Sequence, residues 1–372
     1  MQDAYQAVLE WALGKGLFLQ NDLERKCVDG LYGMYATAPI SGKTLLASLP
    51  TSALLVSSDQ AITENVGGVS LNWIYAAAKE LSNIEGSEYS GMFAGFESLE
   101  AMRDYSIYFS SHDELKSLQS MHPMLFRWVN EAKRRADAIL NTLHEHDPTI
   151  DESIYLNVYL NYRSRAFHPH GIVPVVDMFN HSDRLGQQIT LENDKLCIHA
   201  QQDYAPGDQV FINYGPKDLY THAIDYNYFD PKGTHFIELG RKTVQGLQND
   251  TDAAVLAHLK TIFEVTEFES QGQRGFFVSD PRTLIVEDKP TQGLLALLKE
   301  TCRARFGQPS NEQELTQQAA QYYLFLLDQQ LQMNRIDQID RMALPSRLHR
   351  FYAMLEKEKT MLEANRRNLM GS

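Results

Sequence analysis

The chain has 372 residues, more than one average domain needs, and its 43% hydrophobic and 22% charged residues are an ordinary globular composition. With 34 Lys+Arg against 48 Asp+Glu the formal net charge is −14. That balance argues against nucleic-acid binding, which runs on a basic patch, and suits a cationic partner or simply solubility. Only three cysteines occur, Cys27, Cys197 and Cys302. They are scattered and odd in number, so neither a disulfide framework nor a zinc cluster is expected. The N-terminus lacks the basic and apolar regions of a signal peptide, and no apolar run reaches the length of a membrane span. A cytoplasmic or nuclear protein that does not engage a membrane is expected, with a monomer as the simplest state.

Residues 4–13 place Tyr5, Val8, Leu9, Ala12 and Leu13 at helical spacing. From about 27 to 57 the stretches LYGMYA, TLLASL and ALLVSS, cut by Pro39, Gly42 and Pro50, predict short strands. Helices follow. LNWIYAAAKEL (71–81) is one. Ser111-x-x-Glu114 is a capping box for the next, residues 122–144 make a longer and more charged helix, and Thr149-x-x-Glu152 reads as a second box. His168-Pro169-His170-Gly171 ends the helix that begins there.

IVPVV (172–176), KLCIHA (195–200) and QVFINY (209–214) then predict strands, the last two forming a hairpin through APGD (205–208). Beyond about 245, helices dominate. Val255, Leu256, Leu259, Ile262 and Phe263 share a face, the segments 312–333 and 346–369 are long, and GFFVSDPRTLIVED (275–288) reads as a hairpin-like insert. Leu348, Leu355, Leu362 and Leu369 recur every seven residues; the plainer reading is a face packed on its own domain, since Lys359 and Arg366 interrupt a coiled-coil seam.

The chemistry concentrates in 161–230, which contains NYRSRAF, VPVVDMFNHS, GDQVFINYG and DYNYFDP. Asp177 and His181 are four apart and could share a helical face as metal ligands, but no third ligand has a sensible spacing, so no metal is expected. The plainer alternative is that Asn180 and His181 satisfy buried backbone groups in an irregular turn.

The order of these segments resembles the SET-domain methyltransferases of the Rubisco large-subunit lysine methyltransferase class. D-x-x-N-H-S is followed some thirty residues later by a G-[ED]-Q-[VI]-x-I-x-Y strand, with RSRAF before both. GLYGMYATAPISGKTLLASLP (30–50) is similar to the family's cofactor strand, and DYSIYFSSHDEL (104–115) to its helical insertion. The resemblance implies an α+β fold: a SET domain over residues 1–240 with a helical insertion at about 60–150, then an all-α C-terminal domain over 241–372 that docks substrate. A late segment would thread beneath an earlier loop, a rare topology. It implies S-adenosyl-L-methionine as cofactor, held by Tyr32, Gly33, Ser164, Arg165, Asn180, His181, Tyr214 and Tyr226. Tyr214 would align the reacting groups, and Phe167, Val176, Asp177 and Tyr226 would line the site for the side chain of a protein substrate.

One branch of this class methylates histidine, with Asn at the position of Phe167 and Trp at that of Val176. Phe cannot hydrogen-bond an imidazole and suits an alkyl stem, so lysine is the expected acceptor. Three departures from the family pattern leave open a third reading, a fold that only binds a partner. They are the irregular Gly30-Leu31-Tyr32-Gly33 loop, Asp218-Leu219 where Asn is usual, and Tyr226-Asn227-Tyr228 in place of Tyr-Gly-Phe. Asn tolerates the left-handed backbone that Gly would supply.

Overall fold

The computed structural model describes residues 2–28, 31–56, 65–66, 69–182, 185–214, 219–228, 234–236, 257, 260, 265–270, 273–278, 284–286, 289–290, 292–306 and 311–371. Two compact units result. The first comprises Met1–Phe109, Val129–Gly215 and Ile224–Tyr228; the second comprises Ser110–Trp128, Pro216–Ala223 and Phe229–Ser372.

The chain opens with helix α1 (Gln2–Gly14) and strands β1 (Phe18–Leu19), β2 (Leu23–Val28), β3 (Leu31–Ala36) and β4 (Leu45–Pro50). Short strands β5 (Asn65–Val66) and β6 (Val69–Ser70) precede helices α2 (Leu71–Ser82), α3 (Ser90–Phe93), α4 (Leu99–Arg103), α5 (His112–Met121), α6 (Pro123–His146) and α7 (Glu152–Arg165). Strands β7 (Ala166–Phe167), β8 (Gly171–Ile172), β9 (Asn180–His181), β10 (Ile189–Glu192), β11 (Lys195–His199) and β12 (Gln209–Ile212) follow, then α8 (Leu219–Asp225). The rest holds β13 (Thr234–Phe236), β14 (Val265–Ser270), β15 (Gln273–Val278), β16 (Leu284–Val286), β17 (Lys289–Pro290) and helices α9 (Gln292–Phe306), α10 (Glu312–Met333) and α11 (His349–Gly371). No described helix is long and apolar enough to cross a membrane.

In the first unit one four-stranded sheet has the order β1-β4-β11-β10 and another the order β2-β3-β12-β9. All neighbours are antiparallel except β12 and β9, which pair in parallel with Phe211 opposite Asn180 and Ile212 opposite His181. The expected hairpin of KLCIHA and QVFINY does not form. Both edges of β11 are taken, by β4 and β10, so β12 must pair elsewhere. The APGD turn itself is real: Gly207 adopts φ +92°, and the Asp208 side chain accepts from the Ala205 N–H at 2.7 Å. It redirects the chain from one sheet to the other.

IVPVV also departs from expectation. Only Gly171–Ile172 is strand; Pro174 lacks a ladder donor, and Val176–Met178 winds into a 3-10 turn with Val175 at φ +72°. A β-branched residue in that region costs about 1–3 kcal/mol. Val175 and Val176 are both fully buried, and each such side chain contributes about 1.5–3 kcal/mol, enough to hold the turn. The capping box at Ser111 forms as expected. At α7 the cap is instead Asp151, whose carboxylate accepts from the Ser153 N–H, while Thr149 turns back onto Asp147. The described part of ALLVSS, residues 53–56, is not strand.

Two apolar clusters hold this unit. One packs Met34, Leu46 and Ile198 of the strands against Val173, Val175, Val176 and Phe179 of the turn. The other gathers Trp73 and Ile74 of α2, Leu143 of α6 and Tyr155, Val158 and Tyr159 of α7.

Among the described residues, the second unit from 292 to 371 holds helices and connecting turns without a strand. Leu348, Leu355 and Leu362 are fully buried, and α11 packs on α10 as the plainer reading expected. The 275–288 segment is not a hairpin of its own. Its first strand, β15, pairs with β14, and its second, β16, with β13 and β17. The apolar face expected from Val255, Leu256, Leu259, Ile262 and Phe263 lies outside the described residues.

A buried carboxylate, Glu358 of α11, organises this unit. Its oxygens accept from Tyr220, His235 (3.1 Å), Gln330 (3.0 Å) and Asn334 (2.9 Å), with His122 Nε2 at 3.4 Å. His122 Nδ1 accepts from the Leu125 N–H at 3.2 Å, so that nitrogen carries no proton. Burial alone would raise the Glu358 pKa, but the two histidines and the Tyr220 hydroxyl outweigh it and bring it to about 2. Burial pushes His122 down, towards its neutral form.

Candidate active site

Tyr214 lies two residues beyond β12, and the parallel pairing of β9 with β12 brings it to Asn180-His181. Its ring stacks between His181 (centroids 5.0 Å apart, 30° between planes) and Tyr226 (5.2 Å, 28°), with Phe167 edge-on at 6.1 Å. The Tyr214 hydroxyl donates to the Phe179 carbonyl at 2.7 Å, and its backbone N–H donates to His181 Nδ1 at 3.1 Å. Both phenols are partly buried. Burial, then the neighbouring Tyr226 and Asp177, push the Tyr214 phenol well up; burial and Asp225 do the same to Tyr226. A phenol so placed stays protonated and acts as a donor or an oriented dipole, not as a base.

Asn180 donates from Nδ2 to the Tyr32 carbonyl at 2.8 Å, closing β9 onto the start of β3. At Gly33 a Cβ would stand 2.2 Å from Gln209 Nε2 and 2.8 Å from Asn180 Nδ2. Only a residue without a side chain lets Gln209 and Asn180 pack this closely on the β3 backbone. Arg165, the last residue of α7, binds Asp177 through Nε (2.6 Å) and Nη2 (2.5 Å) and donates from Nη1 to the Gly95 carbonyl. Asp177 is fully buried; burial pushes its carboxyl up against the pull of Arg165, and Oδ1 has no partner.

Tyr32, Gly33, Arg165, Phe167, Asp177, Asn180, His181, Tyr214 and Tyr226 are thus linked by hydrogen bonds, ring contacts or close approach within one unit. The Ser164 hydroxyl does not join them: it donates to the Leu160 and Asn161 carbonyls of its own helix. Val176 is buried in the strand cluster next to Asp177. Asn227 adopts φ +56°, the backbone a glycine would supply. Gly30 and Asp218 lie outside the described residues.

Sequence reasoning passed over Arg163 and Asp225. Arg163 donates to Asp225 through Nε (3.3 Å) and Nη2, and Tyr108 approaches the same carboxylate. Asp225 outweighs the effect of burial and raises the Arg163 pKa. This pair anchors the residue before Tyr226. Both lie in the quoted segments NYRSRAF and DYNYFDP, so the signal was two charged residues on otherwise apolar and aromatic stretches. Glu192, Cys197 and His199 also bring potential ligand atoms within 4.8 Å of one another; Glu192 is exposed and already bonded to Thr190 and His199.

A strand pair closed by a short parallel segment, with Asn-His beside a partly buried tyrosine, is the decisive arrangement, and residues 31–215 match the family model of the SET domain. This is a SET-domain protein. Mouse and rat (Mus musculus, Rattus norvegicus) actin-histidine N-methyltransferases are 22% and 21% identical to it over 270 residues, 63% of this chain. The chain spans 44% of the length of these curated relatives. Among solved structures, Rubisco LSMT bound to sinefungin and monomethyllysine aligns with a TM-score of 0.63 at 17% identity, covering 100% of this chain and 92% of that one. Rubisco LSMT bound to AdoMet aligns at 0.62 with 18% identity, covering 99% and 92%. The SET-domain chain therefore shares the whole fold of those structures.

Proposed function

We propose that this SET-domain protein transfers a methyl group from S-adenosyl-L-methionine to a lysine side chain of another protein. The observation that carries the reading is the Tyr214 cluster. A partly buried, protonated phenol is fixed on the Phe179 carbonyl, stacked on His181 and Tyr226, and bordered by the apolar edge of Phe167. The cofactor fits the residues present: Gly33 exposes β3 backbone without a Cβ beside the Asn180 and Gln209 amides, and Asp177 Oδ1 is a buried acceptor with no partner.

Tyr32, Gly33, Arg165, Asn180 and His181 would hold the cofactor. Bound there, it supplies a methyl group on a sulfonium, which passes to the amine nitrogen as the carbon–sulfur bond breaks. The protein's work is alignment, because an in-line displacement needs nucleophile, carbon and leaving group on one axis. Tyr214 Oη and the Phe179 carbonyl offer oxygens for weak C–H···O contacts and for charge that shifts during transfer. Phe167 and the Tyr226 ring exclude water from the amine. An amine free in water has a pKa near 10.4, and desolvation lowers it, so the neutral nucleophile becomes accessible. The substrate ammonium gives its proton to solvent before transfer, and the products are the methylated ammonium and a neutral thioether.

A second reading is histidine methylation, favoured by the curated relatives, which are actin-histidine N-methyltransferases. Against it, Phe167 offers no hydrogen bond to an imidazole nitrogen. The helical second unit would dock the substrate protein. Radiolabelled methyl transfer to lysate proteins, followed by fragment mass spectra, tests both readings. Methyl-lysine is expected; methyl-histidine would replace the lysine reading. Failure of the protein to bind S-adenosylmethionine at millimolar concentration in calorimetry would leave a fold that only binds a partner.

A further inference from the structure

The hairpin of β10 and β11 lies in the other sheet of the first unit and brings together a carboxylate, a thiol and an imidazole. Its tight turn has Asn193 at φ +48° and Asp194 at φ +61°, the left-handed pair that a two-residue hairpin loop requires. The turn is tied down as well, since the Thr51 N–H donates to the Asp194 carbonyl at 2.8 Å. That fixes a register in which Glu192 faces Lys195 and Thr190 faces Cys197. Residues paired across a ladder, and those two apart along a strand, share a face. Leu196 and Ile198 point into the strand cluster, so Glu192 and Cys197 leave the sheet on the opposite side. A β-bulge after Ile198 turns His199 towards them, and one ligand atom from each of the three lies within 4.8 Å of the other two.

The hydrogen bonds around this trio suit a cation. His199 Nε2 stands 3.2 Å from Glu192 Oε2, and His199 Nδ1 is 3.5 Å from the Lys43 carbonyl. Both ring nitrogens therefore face acceptors, whereas a neutral imidazole carries a single proton. With that proton on Nδ1, towards the carbonyl, the Nε2 lone pair meets the carboxylate, and a positive species must sit between them. Glu192 is oriented too, because its Oε1 accepts from the Thr190 hydroxyl at 2.6 Å and leaves Oε2 for the trio. Carbonyl-bound histidine and hydroxyl-bound carboxylate are the supports that metal ligands commonly have. The spacing agrees: in a tetrahedral zinc site with bonds of about 2.0–2.3 Å, ligand atoms stand about 3.3–3.6 Å apart.

We propose that Glu192 Oε2, Cys197 Sγ and His199 Nε2 bind a zinc ion, with water completing the fourth position. Thiolate and imidazole together select zinc over magnesium or calcium, which take oxygen ligands. On binding, the Cys197 thiol gives its proton to solvent, and thiolate, carboxylate and Zn²⁺ then sum to zero charge. The ion would brace β10, the edge strand of its sheet, against β11. In the sequence the three ligands read only as Glu-x4-Cys-x-His; the hairpin register supplies the convergence. Nothing in this assignment depends on the methyl-transfer reading.

The untagged full chain, stripped with a chelator and dialysed, is titrated with Co²⁺ and then with Zn²⁺. The expected result is saturation at equimolar Co²⁺, with the near-ultraviolet charge-transfer band of a cobalt–thiolate bond, which Zn²⁺ then abolishes. Cys197→Ser should lose the band, and Cys27→Ser should keep it. Calorimetry with Zn²⁺ should show binding weakened at least about tenfold in Glu192→Gln and in His199→Gln. Glu192 is exposed, so its variant keeps the test open if Cys197→Ser does not fold. Cobalt binding without a thiolate band would make Glu192 and His199 an ordinary ion pair and overturn the assignment. So would a band that survives Cys197→Ser, or a zinc affinity unchanged in both calorimetry variants.

Discussion

Replacing Tyr214 by Phe removes one oxygen and leaves the ring. The stacking on His181 and Tyr226 and the edge contact with Phe167 all survive, because each belongs to the ring and not the hydroxyl. What is lost is the 2.7 Å hydrogen bond to the Phe179 carbonyl. Such a bond contributes about 0.5–1.5 kcal/mol net, and a buried carbonyl left without a donor costs about 1–3 kcal/mol. Against a typical total of about 5–15 kcal/mol the variant stays folded, with a melting point lower by a few degrees. The effect on turnover is expected to be larger. Removing an oriented oxygen that meets charge shifting in the transition state is expected to cost about 10²–10³ in kcat, roughly 2.7–4 kcal/mol, the scale for loss of one preorganised polar group. Cofactor affinity should change by less than about threefold, since the proposed cradle is formed by Gly33, Asn180 and their backbone neighbours.

Three measurements on one variant decide the matter: a thermal melt, calorimetry with S-adenosylhomocysteine, and single-turnover methyl transfer. The pH profile adds a fourth. Burial holds the Tyr214 phenol well above its ordinary value, so it does not titrate in the working range. A rise of rate with pH therefore belongs to the substrate amine, and Tyr214→Phe should keep the same midpoint at a lower plateau. Turnover within about threefold of wild type, or a loss of cofactor affinity as large as the loss of kcat, would refute the role given to this phenol.

Three further perturbations follow from the geometry. Gly33→Ala places a Cβ 2.2 Å from Gln209 Nε2, which can swing aside, and 2.8 Å from Asn180 Nδ2, which is tied to Tyr32. Overpacking of this kind costs about 1–3 kcal/mol, so S-adenosylhomocysteine should bind about tenfold more weakly, and unchanged affinity in calorimetry would remove Gly33 from the cradle. Phe167→Asn replaces the apolar wall by a donor and acceptor; lysine turnover should fall at least about tenfold, with any gain appearing on histidine in fragment spectra. Glu358 and His122 both have pKa values lowered by folding. Glu358 stabilises fully above about pH 4.5 and loses that contribution as pH falls towards about 2; His122, neutral in the fold, favours the unfolded state once pH drops below about 6.5. Urea midpoints should be level from pH 8 to 7 and decline below 6.5, and a rise on acidification contradicts the sign.

How far the sequence could be read differs from element to element. Helices with a cap and a sustained face, such as α2, α5 and α10, were legible because spacing and capping are local. Strand pairing was not. KLCIHA and QVFINY are adjacent in sequence and joined by a good turn, yet instead of pairing with each other each takes one partner from the N-terminal strands, β4 and β3, more than about 140 residues earlier. The turn at Val175 was hidden for another reason. Its strain is offset by burial that exists only after Phe179 and the strands have packed, and a run of β-branched residues otherwise signals a strand. Asp177, Asn180, His181 and Tyr214 were found through the order of motifs. Gln209 and the Arg163–Asp225 pair were not, since their roles depend on what lies across the sheet or beyond the helix end.

The site itself is held by weak pieces that reinforce one another. Strand β9 has two residues and pairs with only two of β12, too little to persist alone. Three hydrogen bonds close the gap: Asn180 to the Tyr32 carbonyl, the Tyr214 N–H to His181, and the Tyr214 hydroxyl to the Phe179 carbonyl. They join positions 148, 33 and 35 residues apart, so none can form locally. At about 1 kcal/mol each they do little for total stability, but together they over-determine where Tyr214 stands. A single deletion at the hydroxyl then leaves two ties in place, along with the ring stack. For that reason Tyr214→Phe is expected to separate turnover from folding, whereas Asn180→Ala, which frees β3 from β9, is not.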